Sequence, residues 1–144
     1  MNVEPKALVR RLSPTATQRL ETAVGKAATG EYDEIVPEHL LATLLDSEDG
    51  DVAALLKHFE QDRGRLLQRV QRVLEGMRTG KASRPVFAKS VFQWLEDAWV
   101  VASIDYGDPL LRTGVLFAQL VFHTSRYTPE SYPELEAIPR DVLR

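Results

Sequence analysis

The sequence predicts an all-α fold built from two copies of one helical motif. Three observations carry this. Apolar residues recur at helical spacing almost throughout, no segment alternates apolar and polar as a half-buried strand does, and the chain aligns with itself. Shifted by about 75 residues, Leu12–Leu45 falls on Phe87–Leu120 without a gap. Gln18 then meets Gln93, Leu20 meets Leu95, Glu21 meets Glu96, Ala23 meets Ala98 and Ala27 meets Ala102. Farther on, Asp33 meets Asp108, Leu41 meets Leu116 and Leu45 meets Leu120. The matches sit on the apolar stripes, so each copy offers a similar face. Similar faces pack through a pseudo-twofold axis into one shared core.

The elements follow in order. Ser13 with Pro14 signals a helix start, and Ala16, Leu20, Ala23, Val24 and Ala27 fall on one face of that helix. A shorter helix after Pro37 carries Leu40, Leu41, Leu44 and Leu45. Asp51 is the expected cap of a third, with Val52, Leu55, Leu56 and Phe59, and Asp62 of a fourth, with Leu66, Leu67, Val70, Val73, Leu74 and Met77. Thr79–Pro85 is a polar Gly/Ser/Pro connector. A fifth helix carries Val91, Leu95, Ala98, Trp99 and Ala102. A sixth, from about Thr113 through Val121, is apolar on both faces and should be deeply buried. Trp99 shares the apolar stripe and is expected in the core, whereas Trp94, one position off it, is expected to be half exposed. From Tyr127 on, Pro129, Pro133 and Pro139 leave room only for short helical pieces.

Composition narrows the function classes. At 144 residues, one domain is the natural count. Hydrophobic residues make up 44% and charged residues 27%, an ordinary globular balance that can form a core without a metal or disulfide. The absence of cysteine excludes a disulfide scaffold, a thiolate zinc site and a cysteine nucleophile. A net charge of −3 argues against nucleic acid as partner, and the cluster Arg63, Arg65, Arg69 and Arg72 reads as a solvated helix face. No segment has the apolar length of a signal peptide core or a membrane span, which points to a soluble, cytoplasmic protein.

No residue pattern calls for catalysis or a cofactor. Gly25-Lys26 and Gly80-Lys81 lack the following hydroxyl of a phosphate-binding loop, and Glu75 stands where the second would need its early glycine. His39, His58 and His123 have no ligand partners at metal-binding spacing. Glu38 and His39 are adjacent and so point apart on a helix, Glu38 serving the helix start. Asp46, Glu48, Asp49 and Asp51 lack the spaced ligands and closing Glu of a calcium loop. Ser13, Ser90 and Ser103 have no base placed by spacing.

Taken together, Glu38-His39-Leu40-Leu41 followed by Leu44-Leu45, then Asp51-Val52-Ala53 through His58-Phe59 and Asp62 through Leu74, resemble the N-terminal domain of Clp-type AAA+ unfoldases. Three local features are closer to its ClpV branch, which serves type VI secretion. They are Leu8-Val9 and Leu12 leading directly into the first helix, Met77-Arg78-Thr79-Gly80, and Trp94-Leu95-Glu96 with Ala98-Trp99, Ala102-Ser103 and Arg112-Thr113-Gly114. Arg112-Thr113-Gly114-Val115 replaces the Glu-His-Leu-Leu segment in the second copy. The resemblance implies a duplicated four-helix motif with pseudo-twofold symmetry: an extension at 1–12, repeat one at 13–78, a linker at 79–86 and repeat two at 87–144. It implies a substrate-recognition domain without ATPase modules, monomeric by itself and part of a hexamer in the full-length ATPase. The implied partner is a helix near the N-terminus of the large contractile-sheath subunit (VipB/TssC), gripped in an apolar groove. The expected walls are Leu8, Val9, Leu12 and Ala16 on the extended first helix, with Val86 and Phe87; ordinary core packing is the alternative for each. A general Clp chaperone domain that holds unfolded segments or an adaptor, and a free-standing helical regulator, stay open beside this reading.

Overall fold

Pro14 has no N–H to give an incoming helix and pushes Ser13 out of helical conformation, so the chain breaks there. The computed structural model describes residues 5–47, 50–79, 84–105, 107 and 109–138. In it Ser13 is extended, at φ −62° and ψ 160°, and its Oγ accepts the Ala16 N–H at 3.2 Å. The expected single extended helix is therefore two: α1 (Pro5–Arg11) and α2 (Pro14–Thr29). Met1–Glu4 of the extension, Glu48 and Asp49 of the acidic string, Gly80–Ser83 of the connector, Asp108 of the repeat and the tail from Pro139 lie outside the described residues.

Helix α3 (Pro37–Leu45) is buried over its whole length, which its apolar composition requires. Helix α4 (Asp51–His58) follows, with Gly50 rather than Asp51 as its cap residue. Gly50 has φ 98°, a backbone setting that glycine reaches without strain. Asp62 caps α5 (Arg63–Met77), its Oδ1 accepting the Arg65 N–H at 3.0 Å. Helices α6 (Lys89–Asp105) and α7 (Thr113–Phe122) open the second half, and only the four-residue helices α8 (Thr124–Tyr127) and α9 (Pro133–Glu136) follow among the described residues.

Two contacts of extended chain hold the halves together, in strands too short to show as an alternating pattern. Strands β1 (Glu34–Ile35) and β2 (Val86–Phe87) pair in parallel, with Glu34 opposite Val86 and Ile35 opposite Phe87. Leu12 and Leu111 form a parallel bridge, in which the Leu111 N–H reaches Arg11 O at 2.6 Å and the Ser13 N–H reaches Leu111 O at 2.8 Å. These contacts are mates: Leu12 and Phe87 precede α2 and α6, and Ile35 and Leu111 precede α3 and α7. Helices α2 and α6 start 75 residues apart (14 and 89), α3 and α7 76 apart (37 and 113). The second copy thus carries one extra residue before α7, and it falls in α6, which has 17 residues where α2 has 16; a gapless alignment conceals it.

The tryptophans exchange their expected places. Trp94 is fully buried, its Nε1 donating to Leu116 O at 2.8 Å, and it stacks near Tyr127 at 6.2 Å. It lies on the same face as Val91, Leu95 and Ala98, because steps of three and four residues align along a helix. Trp99 is only half-buried at the edge of that stripe, with the Arg11 guanidinium 5.3 Å from its ring.

Candidate functional site

Packing of α1 against α6 decides which of the expected groove residues reach the surface. Leu8 keeps 1% of its surface exposed, Leu12 5% and Ala16 1%, and all three belong to the common core. As placed, they offer a partner no face: α1 turns Leu8 inward as it docks on α6, Leu12 lies in the bridge to Leu111, and Ala16 is on the buried stripe of α2. Val9 and Phe87 are half-buried against the same core, and Val86 stands 63% exposed. The strand pairing explains Val86 and Phe87: successive side chains of β2 point to opposite sides, so one faces inward and one outward. The Phe87 ring lies 5.1 Å from Phe92, tilted by 49°. With Leu8, Leu12 and Ala16 buried, the six residues do not form one continuous exposed wall.

Glu38 and His39 are a buried pair of helix-start residues. The Val36 N–H donates to His39 Nδ1 at 3.0 Å, the reciprocal half of a capping box, which leaves the proton of the neutral ring on Nε2. Tyr32 packs edge-on against that ring at 4.5 Å. Burial lowers the His39 pKa from 6.5 to about 4 and raises that of Glu38 from 4.5 to about 7. Among the described residues, neither Glu38 oxygen has a hydrogen-bond partner in ordinary geometry. Their surroundings keep both groups neutral near pH 6, which suits packing.

The second half is tied by a buried polar chain. Gln119 Nε2 donates to Tyr127 Oη at 2.9 Å, and Tyr127 donates to Asp97 Oδ2 at 2.6 Å, linking α7, α8 and α6. Burial and the Asp97 bond push the Tyr127 hydroxyl up to about 12. Arg69 grips the buried Glu134 carboxylate through Nε at 3.1 Å and Nη2 at 3.0 Å, holding α9 to α5, so the arginine cluster is only partly a solvated face. Among the described residues, no cluster of His, Asp and Glu is arranged to hold a metal.

The sequence reading missed a groove of about 600 Å³ between α4 and α7, bordered by Leu55, Val101, Val115, Ala118 and Phe122. Its signal was present: α7 is apolar all round, yet Val115, Ala118 and Phe122 are only half-buried. No helix of the described residues is long and apolar enough to cross a membrane.

Comparison with known proteins gives the family. The chain matches ClpB of Yersinia enterocolitica at 26% identity over 99% of its length and 16% of that protein's, so it spans about a sixth of this curated relative. It superposes on the N-domain of ClpV from Vibrio cholerae with TM-score 0.88 and 24% identity, covering 99% of this chain and 86% of that one. A ClpV N-domain solved in complex with a VipB peptide gives TM-score 0.82 and 24% identity, covering 99% and 88%. At such identity the likeness speaks for the fold. The model of the Clp repeat (R) N-terminal domain, a substrate-binding domain rather than an ATPase module, matches residues 11–125. The chain belongs to the Clp repeat N-terminal domain family.

Proposed function

We propose that this domain recognises substrate for a type VI secretion AAA+ unfoldase by binding a helix of the large sheath subunit. In the full-length cytoplasmic hexamer, ATP hydrolysis would then draw that subunit out of the sheath. The observation that supports the binding surface is Val86, 63% exposed in a strand whose other residue, Phe87, is anchored in the core. An exposed β-branched side chain on a fixed backbone offers apolar area to a partner helix at little ordering cost. Val86, Phe87 and Val9 are the proposed contacts, and Leu8, Leu12 and Ala16 are left to the core. The likeness to a ClpV N-domain solved with a VipB peptide supports the choice of partner.

The test is fluorescence anisotropy with a labelled sheath-subunit helix. Val86→Asp should weaken binding at least tenfold, because the carboxylate would have to be desolvated beneath the partner. The melting curve should barely move, since an exposed site tolerates the change within about 0.5 kcal/mol. Unchanged affinity refutes the surface. The likeness to ClpB favours a second reading, a general chaperone domain that holds unfolded segments. Equal affinity for the sheath helix and an unrelated unfolded protein would select it.

A further inference from the structure

Helix α5 carries the chain's densest basic cluster, and the fold uses only part of it. Arg63 donates to Leu45 O at 2.6 Å, and Arg69 grips Glu134. Arg65 and Arg72 are exposed, and among the described residues neither guanidinium meets an acid. Two acids lie within one turn of them on the chain, and both serve other groups. Asp62 caps the helix by accepting the Arg65 backbone N–H at 3.0 Å, and Glu75 takes the Arg78 guanidinium at 3.1 Å. Arg65, Arg69 and Arg72 therefore share one face at steps of four and three residues, a row about 10 Å long. Like charges at that spacing destabilise a helix, and of the three only Arg69 offsets this among the described residues, through Glu134.

The row is arranged to receive oxygen acceptors. With Gln68 it borders a shallow cavity of about 150 Å³. The buried Glu134 accepts from Arg69 Nε and Nη2, which fixes the central guanidinium and leaves the two N–H groups of Nη1 for another acceptor. A fork already fixed loses little freedom when a carboxylate joins it. The ends of the row limit what can occupy it. Asp62 stands before it and Glu75 after it, and the whole chain carries a net charge of −3. Nucleic acid or an anionic membrane surface would extend over those acids, whereas a short acidic segment stays within the row.

We propose that this face of α5 docks an acidic helix of a partner protein, whose carboxylates recur at steps of three and four residues and pair with Arg65, Arg69 and Arg72. Gln68 donates between them. Two helices lying side by side match such rows turn for turn, and each pair gains from charge on both partners. The face belongs to α5 and not to the strand that carries Val86, so the inference does not rest on the sheath-helix reading.

The probe is a fluorescein-labelled helical peptide with Glu at steps of four and three residues, read by anisotropy against the 144-residue chain. A peptide of the same composition with its Glu residues spread around the helix should bind roughly tenfold more weakly. Arg65→Glu/Arg72→Glu should lower the affinity for the first peptide roughly tenfold or more and leave the melting curve almost unchanged, since both positions are exposed. If that variant fails to fold, Arg72→Gln should give a smaller loss in the same direction. No binding, equal binding of the two peptides, or unchanged affinity in the folded variants overturns the proposal. A DNA duplex or a phosphatidylserine vesicle that binds through the same arginines more tightly than the peptide overturns the choice of partner. Val86→Asp should leave the affinity for the acidic peptide unchanged, so failure of the sheath-helix reading and failure of this one show separately.

Discussion

Glu38 and His39 open α3 side by side, and burial moves their pKa values in opposite directions, so removing one should uncover the other. Between about pH 4.5 and 6.5 the folded chain keeps a proton on Glu38 that the unfolded chain has lost. Over nearly the same range it lacks a proton on His39 that the unfolded chain carries. Glu38 therefore makes stability fall as pH rises from 4.5 to about 7. His39 makes stability fall as pH drops from 6.5 to about 4. Each displacement corresponds to about 3 kcal/mol, so from these two groups the parent chain should show a nearly flat profile across the overlap. Glu38→Gln removes the limb that falls with rising pH. The difference in stability between variant and parent should be small near pH 4.5 and grow to about 3 kcal/mol in favour of the variant by pH 8, because every other carboxylate contributes equally to both. Urea unfolding followed by circular dichroism, repeated from pH 4 to pH 8, measures that difference directly. A difference that does not change with pH would refute the reasoning, since the Glu38 carboxyl would then titrate alike in folded and unfolded chains.

Leu8→Asp should cost several kcal/mol of stability, because its side chain is 1% exposed in the core; urea unfolding that shows less than 1 kcal/mol would return Leu8 to the surface. Ser13→Ala should cost about 1 kcal/mol through loss of the bond to the Ala16 N–H, whereas Ser13→Thr, which keeps the hydroxyl, should lose less; the comparison is made by urea midpoint. Trp94→Phe keeps an aromatic ring but leaves Leu116 O without the indole donor, and should cost about 1–3 kcal/mol by the same measurement. Trp99→Phe should cost less, since that ring is half-buried, with the Arg11 cation over it.

What the sequence determines is local and periodic. Helices α2, α3, α5, α6 and α7 were legible because 3.6-residue spacing writes their buried stripes into the residue order, and Ser13 and Asp62 announce their starts. The duplication was legible because two copies facing the same core keep similar stripes. Tertiary structure decided what depends on a neighbour. Pairs of strands two residues long have no alternation to read, and exist because Ile35 and Phe87 meet across the pseudo-twofold axis. Leu8, Val9 and Val86 are equally apolar in sequence, yet docking of α1 on α6 buries Leu8, and pairing of β2 with β1 leaves Val86 outside. Trp94 and Trp99 lie on one amphipathic helix, and which of them is core depends on where α7 lies. Burial belongs to the contact of two surfaces, so a single chain position states its appetite for burial but not whether anything covers it.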